Sequence, residues 1–310
     1  MKIVKPSHKI LIPESPYKHI EKIGRICYKS EDAITDTSAE PFVQRLFNSG
    51  HHAMLEHFRF IVEVNYMMYT SLSLDKYNKY IRFTDDGRYI ISGSSRGLCD
   101  LYKYTDRVST KVAIAHIVNK IVSEYDCQAI FGDIGKEGVI VDKYMTVHRV
   151  IKDFDELSDI EYNMHAWYSV HFVCDRGVTH EMVRHRDASF AQESTRYCNY
   201  SKGKYDNEIT VIEPLFWNPG APKYNLWRLA CEYSENMYLD LIKFGATPQE
   251  ARSVLPNSLK TEIVITAQIY EWRHIFNLRV HGKTGAPHPQ MKEVMEPVYN
   301  DMVQNNYLRK

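Results

Sequence analysis

The first third of the chain has apolar positions that predict a short helix followed by a strand. Residues 41–47 show helical spacing, with Thr37 or Ser38 placed to begin the helix and Gly50 placed to end it. In residues 58–64 every second position is apolar. Alternation of this kind predicts a strand with one buried face.

A second strand and helix are predicted in the middle of the chain. Residues 167–174 predict a second strand, and the turn residues 175–177 follow it. Thr179 then stands where a helix N-cap is expected. Residues 135–138 and 153–159 have the composition of exposed connections.

Residues 224–244 predict a long helix that ends at Gly245. Helical spacing there would bring one set of apolar side chains onto a single face, directed toward the core. These are Leu226, Leu229, Ala230, Tyr233, Met237, Leu241 and Phe244.

The next helix has a clear start. Thr247 is a capping residue, Pro248 suits the first helical position, and Glu250 stands three residues after the cap. The pattern therefore predicts that Arg252 lies in the first turn or two of a helix, which Pro256 ends.

The last predicted elements are a β-branched strand at 262–266 and a helix at 269–276 that brings Arg279 to its end. Strands and helices are mixed without regular alternation, which favours an α+β fold with a mixed or antiparallel sheet flanked by helices. No repeat or linker divides the sequence, so we expect a single domain over 1–310, with an elaborated middle region around 80–165.

Composition narrows the class of protein. The 310 residues include 39 Lys+Arg and 39 Asp+Glu, and this balance argues against a general nucleic-acid binder. We expect no membrane span, because no apolar run is long enough, and no export signal, because the apolar stretch near the amino terminus is too short. The six cysteines are widely spaced, which indicates reduced thiols in a cytoplasmic protein without a zinc site.

Candidate chemistry concentrates in one cationic stretch. Guanidinium groups that point in different directions from a helix could bind phosphate or carboxylate groups. A solvated basic helix face has the same composition. Common nucleotide-binding, zinc-protease and serine-hydrolase motifs are missing from the sequence. The stretch comprises Arg176, His180, Arg184, His185, Arg186 and Arg196.

The order of these residues resembles the signature of the flavin-dependent thymidylate synthases. The signature consists of residues 184–186, then Ser194, then residues 195–197. Further blocks with the same resemblance lie before and after it in the expected order: 50–57, 176–181, 252–256 with Thr261, and 272–279 followed by His288 and Gln290.

The resemblance implies a homotetrameric α+β enzyme with active sites shared between subunits. It would methylate dUMP to dTMP, with methylenetetrahydrofolate as the carbon donor and NADPH as the reductant, through bound FAD. No protein nucleophile and no metal are expected. By similarity, Arg279 would be the catalytic residue, contacting the uracil ring and favouring ionisation at its N3. A helix-terminal charge that stabilises the macrodipole is the alternative for Arg279.

The resemblance also assigns the binding residues. Those expected to bind dUMP are Glu181, Arg184, Gln192, Glu193, Ser194, Thr195, Arg196, Arg252 and Arg279. Those expected to bind FAD, in part from neighbouring chains, are Ala53, Arg184, His185, Arg186, Gln192, Gln268, Ile269, Tyr270 and His274. Glu56 and His57 would support the flavin wall.

Three positions depart from the family pattern. Ala53 stands where Ser or Thr is usual, Gln192 where Glu is common, and Glu181 where Gln is frequent. A carboxylate at 181 cannot donate a hydrogen bond unless it is protonated, so Glu181 would contact ribose hydroxyls or orient an arginine.

Two other classes of function remain open at this point. Cys198 lies near the cationic stretch, which could lower its thiol pKa and make it a nucleophile. Alternatively, Arg184, Arg186, Arg196 and the aromatic residues could form a nucleotide- or RNA-binding module without catalysis.

Overall fold

A computed structural model describes residues 1–136 and 142–309 of the chain, without the side chain of Lys204. The predicted connection 135–138 therefore lies partly outside the described residues. The predicted connection 153–159 contains a 3-10 turn, Phe154–Glu156, and the start of a helix.

The described residues form ten strands and eleven α-helices. The strands are β1 (Lys2–Val4), β2 (Ser7–Leu11), β3 (Arg59–Val64), β4 (Ile81–Thr84), β5 (Tyr89–Ser94), β6 (Val147–Val150), β7 (Trp167–Asp175), β8 (Ser189–Gln192), β9 (Thr210–Ile212) and β10 (Lys260–Gln268). The helices are α1 (Pro16–Tyr28), α2 (Ala39–Asn48), α3 (Tyr66–Ser73), α4 (Ser95–Tyr104), α5 (Val108–Tyr125), α6 (Asp159–His165), α7 (Arg176–Met182), α8 (Pro222–Lys243), α9 (Pro248–Ala251), α10 (Ile269–Arg279) and α11 (Pro289–Gln304).

Two four-stranded antiparallel sheets carry most of these strands. The first has the order β2-β7-β10-β8, and the second has the order β4-β5-β3-β6. A short parallel pair joins β1 to β9. The α+β fold with mixed and antiparallel sheets flanked by helices is thus confirmed.

Both faces of the first sheet are covered, so its central strand is apolar on both sides. In β10, Val264 faces a core formed with α1, α2 and α5, whereas Ile263 and Ile265 face a core formed with α10 and α11. The predicted strand at 262–266 is confirmed, and it extends at both ends because the pairing with β7 runs from Lys260 to Gln268.

The strand predicted at 58–64 is also confirmed, as β3, but its half-buried character is wrong. Phe60 and Val62 face the first core, and Ile61 packs in the second one. Arg59 is buried as well, with 8% of its surface exposed. The sequence pattern could not reveal that both faces of this strand are covered.

The long helix α8 has its predicted length but a different buried face. Leu226, Leu229, Tyr233 and Phe244 are 55–87% exposed, although their spacing predicted a core-facing stripe. The buried face instead contains Tyr224, Cys231, Glu235 and Tyr238. Helical spacing identified an apolar face correctly, but no described segment of the chain covers that face.

Candidate active site

Helix α7 places Glu181 close to the cationic stretch. Asp175 caps the start of the helix, because its carboxylate accepts the backbone N–H of Val178 at 2.7 Å. Asp175 also accepts a hydrogen bond from Gln290 at 2.8 Å, and burial raises the pKa of its carboxyl group. The prediction that Thr179 caps this helix is wrong, because the carboxylate of Asp175 caps it several residues earlier.

Arg279 stands at the last position of α10, as predicted, and meets α7 there. Its Nη1 donates to Oε2 of Glu181 at 2.8 Å, and its Nε donates to Nε2 of His185 at 3.2 Å. Since Nε2 accepts, the proton of a neutral His185 belongs on Nδ1, which lies 3.5 Å from Oε1 of Glu271. The guanidinium is therefore fixed by side chains of two other segments, in addition to its place at the helix terminus.

Arg279, His185 and Glu271 line a cavity of about 360 Å³, which we call the Arg279 cavity. Five predicted site residues line it: Arg184, His185, Arg186, His274 and Arg279. Arg184 and His274 are exposed to solvent, whereas His185 is buried. A ligand entering here would meet guanidinium and imidazole groups from α10 and from the segment after α7.

One cluster in this cavity was not anticipated. One ligand atom from each of His185, Glu271 and His274 lies within 4.8 Å of the others, an arrangement that could hold a metal ion. Glu271 carries no signal in the sequence, because it is one glutamate in a helix with mixed polarity. The expectation that the protein has no metal stays a prediction.

A second group of predicted residues lines a separate cavity of about 540 Å³, the Ser194 cavity. Gln192, Ser194 and Arg196 line it together with Tyr28 and His51. The hydroxyl of Tyr28 forms a short hydrogen bond with Nδ1 of His51, and burial raises the pKa of the tyrosine. The block 50–57 thus meets the signature segment, which the sequence order alone did not show.

Glu193 and Thr195 alternate with those residues and point into the protein. Glu193 is 3% exposed, and its carboxylate lies 3.4 Å from Nζ of Lys260 and 3.9 Å from that of Lys29. Glu262 shares both lysines. The structure therefore engages Glu193 in a buried charge network, although its role in binding dUMP stays a prediction.

The third cavity, of about 180 Å³, is the arginine cavity, lined by Arg59, Arg82, Arg96 and Arg186. Gln268 also lines it, and its Oε1 accepts a hydrogen bond from Nη1 of Arg59 at 2.6 Å. Of the four arginines, only Arg186 was a candidate from the sequence. The other three come from β3, β4 and α4, which the family resemblance leaves unexplained or does not use.

The remaining predicted residues, among them Ala53, Arg252, Ile269 and Tyr270, are not part of the lining of these three cavities. Ala53 is half-buried against the first core, and Ile269 is fully buried, so its side chain offers no free surface in this chain. Tyr270 receives a hydrogen bond from Nε of Arg82 at 2.9 Å. Arg252 is exposed in the 3-10 turn Arg252–Val254, because the helix begun at Thr247 is only the four-residue α9.

Cys198 does not have the surroundings of a reactive thiol. It is 4% exposed, and its Sγ donates to Oε1 of Glu193 at 3.4 Å. Burial, with the nearby Glu193 carboxylate, raises the pKa of this thiol to about 11. The idea that the cationic stretch lowers this pKa is therefore wrong, and the thiolate is scarce at neutral pH.

Taken together, the fold and the site define an α+β protein with arginine side chains around several open cavities. The sequence profile of the family described as "Thymidylate synthase complementing protein" matches residues 136–304, which is more than half of the chain. The chain belongs to this family, which confirms the resemblance read from its motifs.

Individual relatives carry the name "Flavin-dependent thymidylate synthase". The protein of Pyrococcus furiosus is 31% identical over 107 residues, which cover 34% of this chain and 43% of that protein. The protein of Thermococcus onnurineus is 27% identical over 136 residues, covering 44% and 54%. The chain thus spans about half the length of the curated relatives it matches.

Among solved structures, the chain is similar to a UMP/dUMP methylase, PolB from Streptomyces cacaoi bound with 5-Br dUMP. The TM-score is 0.41 at 14% sequence identity, with 98% of this chain and 93% of that chain covered. Within the described residues, no helix is long and apolar enough to cross a membrane.

Proposed function

We propose that the protein is a flavin-dependent thymidylate synthase. It would methylate dUMP to dTMP, taking the carbon from methylenetetrahydrofolate and the reducing equivalents from NADPH through FAD. Family membership supports this proposal, and the position of Arg279 carries it. A guanidinium held by Glu181 and His185 at an open cavity is suited to a planar, ionisable ring.

The residues present fit a phosphate-bearing cofactor such as FAD. Nε of Arg59 is buried and has no hydrogen-bond partner among the described residues, and Arg186 stands at the same cavity. Arg184, His185 and Arg186, with Gln268, Tyr270 and His274, would hold the flavin. When bound, the flavin would supply the relay of the one-carbon unit and hydride.

The chain's own residues would bind and polarise the pyrimidine. Arg279 would face the uracil ring and stabilise negative charge at N3, which makes C5 a better nucleophile. Of the two roles expected for Glu181, the 2.8 Å contact with Nη1 of Arg279 supports the orientation of an arginine. Ser194 and Arg196 would bind the phosphate and sugar of dUMP.

A shared site in a homotetramer would unite residues that are separate in one chain. Arg279 and Arg184 line one cavity, whereas Ser194 and Arg196 line another. The exposed apolar face of α8, which includes Leu229, offers a surface for a second copy of the chain. We take the dUMP and flavin sites to be completed by neighbouring subunits.

The remaining expectations belong to the same proposal. The chain would form one domain of this family, with the region around 80–165 added to it. Its six cysteines are free thiols, which supports a reducing, cytoplasmic setting.

Coupled NADPH oxidation tests the proposal. Purified protein supplied with FAD should oxidise NADPH faster when dUMP is added, because one protein would hold both the flavin and the pyrimidine. A protein that binds FAD but does not respond to dUMP would be a flavoprotein of another specificity. A protein that binds neither would favour an anion-binding module.

A further inference from the structure

We propose that the arginine cavity binds the diphosphate of the flavin dinucleotide, and that the region around 80–165 completes this subsite with Arg82 and Arg96. The inference rests on the proposed function, because it says where the cofactor of that function places its phosphates. It also gives a role to a region that the family resemblance leaves unexplained.

Arg59 is the first observation that points to an anion. It is 8% exposed, and in the described part of the chain its guanidinium donates only to neutral acceptors: Oε1 of Gln268 at 2.6 Å and Oγ of Ser189 at 3.2 Å. Nε has no partner among the described residues. A buried charge without a paired carboxylate is costly, so a bound anion would stabilise it.

The side chains around the cavity carry more positive than negative charge, which also favours an anion. Four arginines line it, against the three carboxylates of Glu56, Asp100 and Asp187. Arg96 pairs with Glu56 at 2.7 Å and Asp100 at 3.4 Å, and Arg82 pairs with Asp187 at 3.1 Å. Arg59 and Arg186 have no carboxylate within 4.0 Å in the described part of the chain.

The location selects the kind of anion. Gln268 and Arg186 are predicted to touch the flavin, and both line this cavity. Tyr270, also a predicted flavin residue, is hydrogen-bonded to Arg82. An anion held here would therefore belong to the same ligand as the flavin ring. A guanidinium group can donate hydrogen bonds to two phosphate oxygens at once, and several guanidinium groups around one cavity suit a diphosphate.

Direct titration of flavins tests this subsite. The full chain, stripped of flavin, would be titrated with FAD and with riboflavin by fluorescence, with inorganic pyrophosphate as competitor. In Arg96→Gln we expect FAD to bind about tenfold more weakly or worse, since one charge-assisted contact is lost. Riboflavin has no phosphate, so its affinity should not change, and competition by pyrophosphate should weaken along with FAD.

Two variants control for indirect effects. Asp100→Asn removes the opposite charge from the same cavity and should leave FAD binding equal or tighter. Arg107→Ala removes an exposed arginine that does not line this cavity and should change nothing.

The outcomes separate this inference from the function on which it rests. If wild-type protein binds FAD and forms dTMP but Arg96→Gln binds FAD normally, the subsite is rejected while the function stands. Equal weakening in Arg96→Gln and Asp100→Asn, or equal loss of riboflavin and FAD, would also reject it. If wild-type protein binds no flavin, both proposals fail.

Discussion

The environment of Arg279 gives the residue-scale prediction with the largest expected effect. Arg279→Ala should lower dTMP formation by about 100- to 1,000-fold, the usual cost of removing a group that stabilises transition-state charge. FAD binding should persist, because the arginines that we propose to bind its phosphates remain. Product chromatography and a flavin titration, run beside Arg107→Ala, measure both effects. Normal turnover in Arg279→Ala would reject the catalytic assignment.

A second prediction at this scale concerns the buried thiol. Cys198→Ser should keep turnover within about twofold of wild type, because a serine hydroxyl can also donate to Glu193 and no nucleophile is removed. The steady-state rate of dTMP formation tests this. Collapse of activity in a folded Cys198→Ser protein would revive the cysteine-nucleophile hypothesis.

At the scale of elements, helix α8 carries the prediction on assembly. Leu229→Glu should shift the protein from the proposed tetramer to smaller species, because it places a charge on an apolar face that we assign to subunit contacts. Light scattering after size-exclusion chromatography gives the mass. Val108→Glu is the matched control, since Val108 is also exposed, at 66%, but lies on α5. An unchanged mass in Leu229→Glu would remove α8 from the interface.

The same helix shows what the spacing of apolar residues can predict and what it cannot. Spacing located α8, α10 and β7 well, because periodicity depends on local geometry. It could not say which apolar face is covered, since that depends on distant segments and on neighbouring chains. The cap of α7 was misplaced because Asp175 and Thr179 are both good caps, and only the structure shows which carboxylate or hydroxyl accepts the N–H groups.

The candidate site also has residues that the sequence could identify and residues that it could not. Arg279 and the 184–196 segment could be identified from the sequence because they form an ordered motif. Arg59, Arg82 and Arg96 come from positions far apart in the chain and meet only through the pairing of β3, β4 and β5. A spacing rule cannot find such a group.

At the scale of the whole molecule, buried histidines predict acid sensitivity. Burial lowers the pKa of His19 and His57 to about 3 and that of His165 to about 4. Below pH 6.5 the unfolded chain takes up protons at these positions and the folded chain does not, so stability falls with pH. By pH 5 each histidine would lower the unfolding free energy by about 2 kcal/mol.

Urea unfolding at pH 7 and pH 5 measures this loss. His57→Gln should reduce the difference between the two pH values, provided that the variant folds at pH 7. His148→Gln, at an exposed position, should leave the difference unchanged. If wild-type stability is the same at both pH values, the buried histidines do not control acid unfolding.

The most direct test of the central claim is the product itself. Purified protein would be incubated with dUMP, methylenetetrahydrofolate, NADPH and FAD. The nucleotides would then be separated, and their masses would be measured by mass spectrometry. We expect dTMP, carrying a methyl group in place of the C5 hydrogen, and we expect its formation to stop when FAD is omitted from flavin-free protein. Bound FAD and dUMP with no dTMP formed would contradict it.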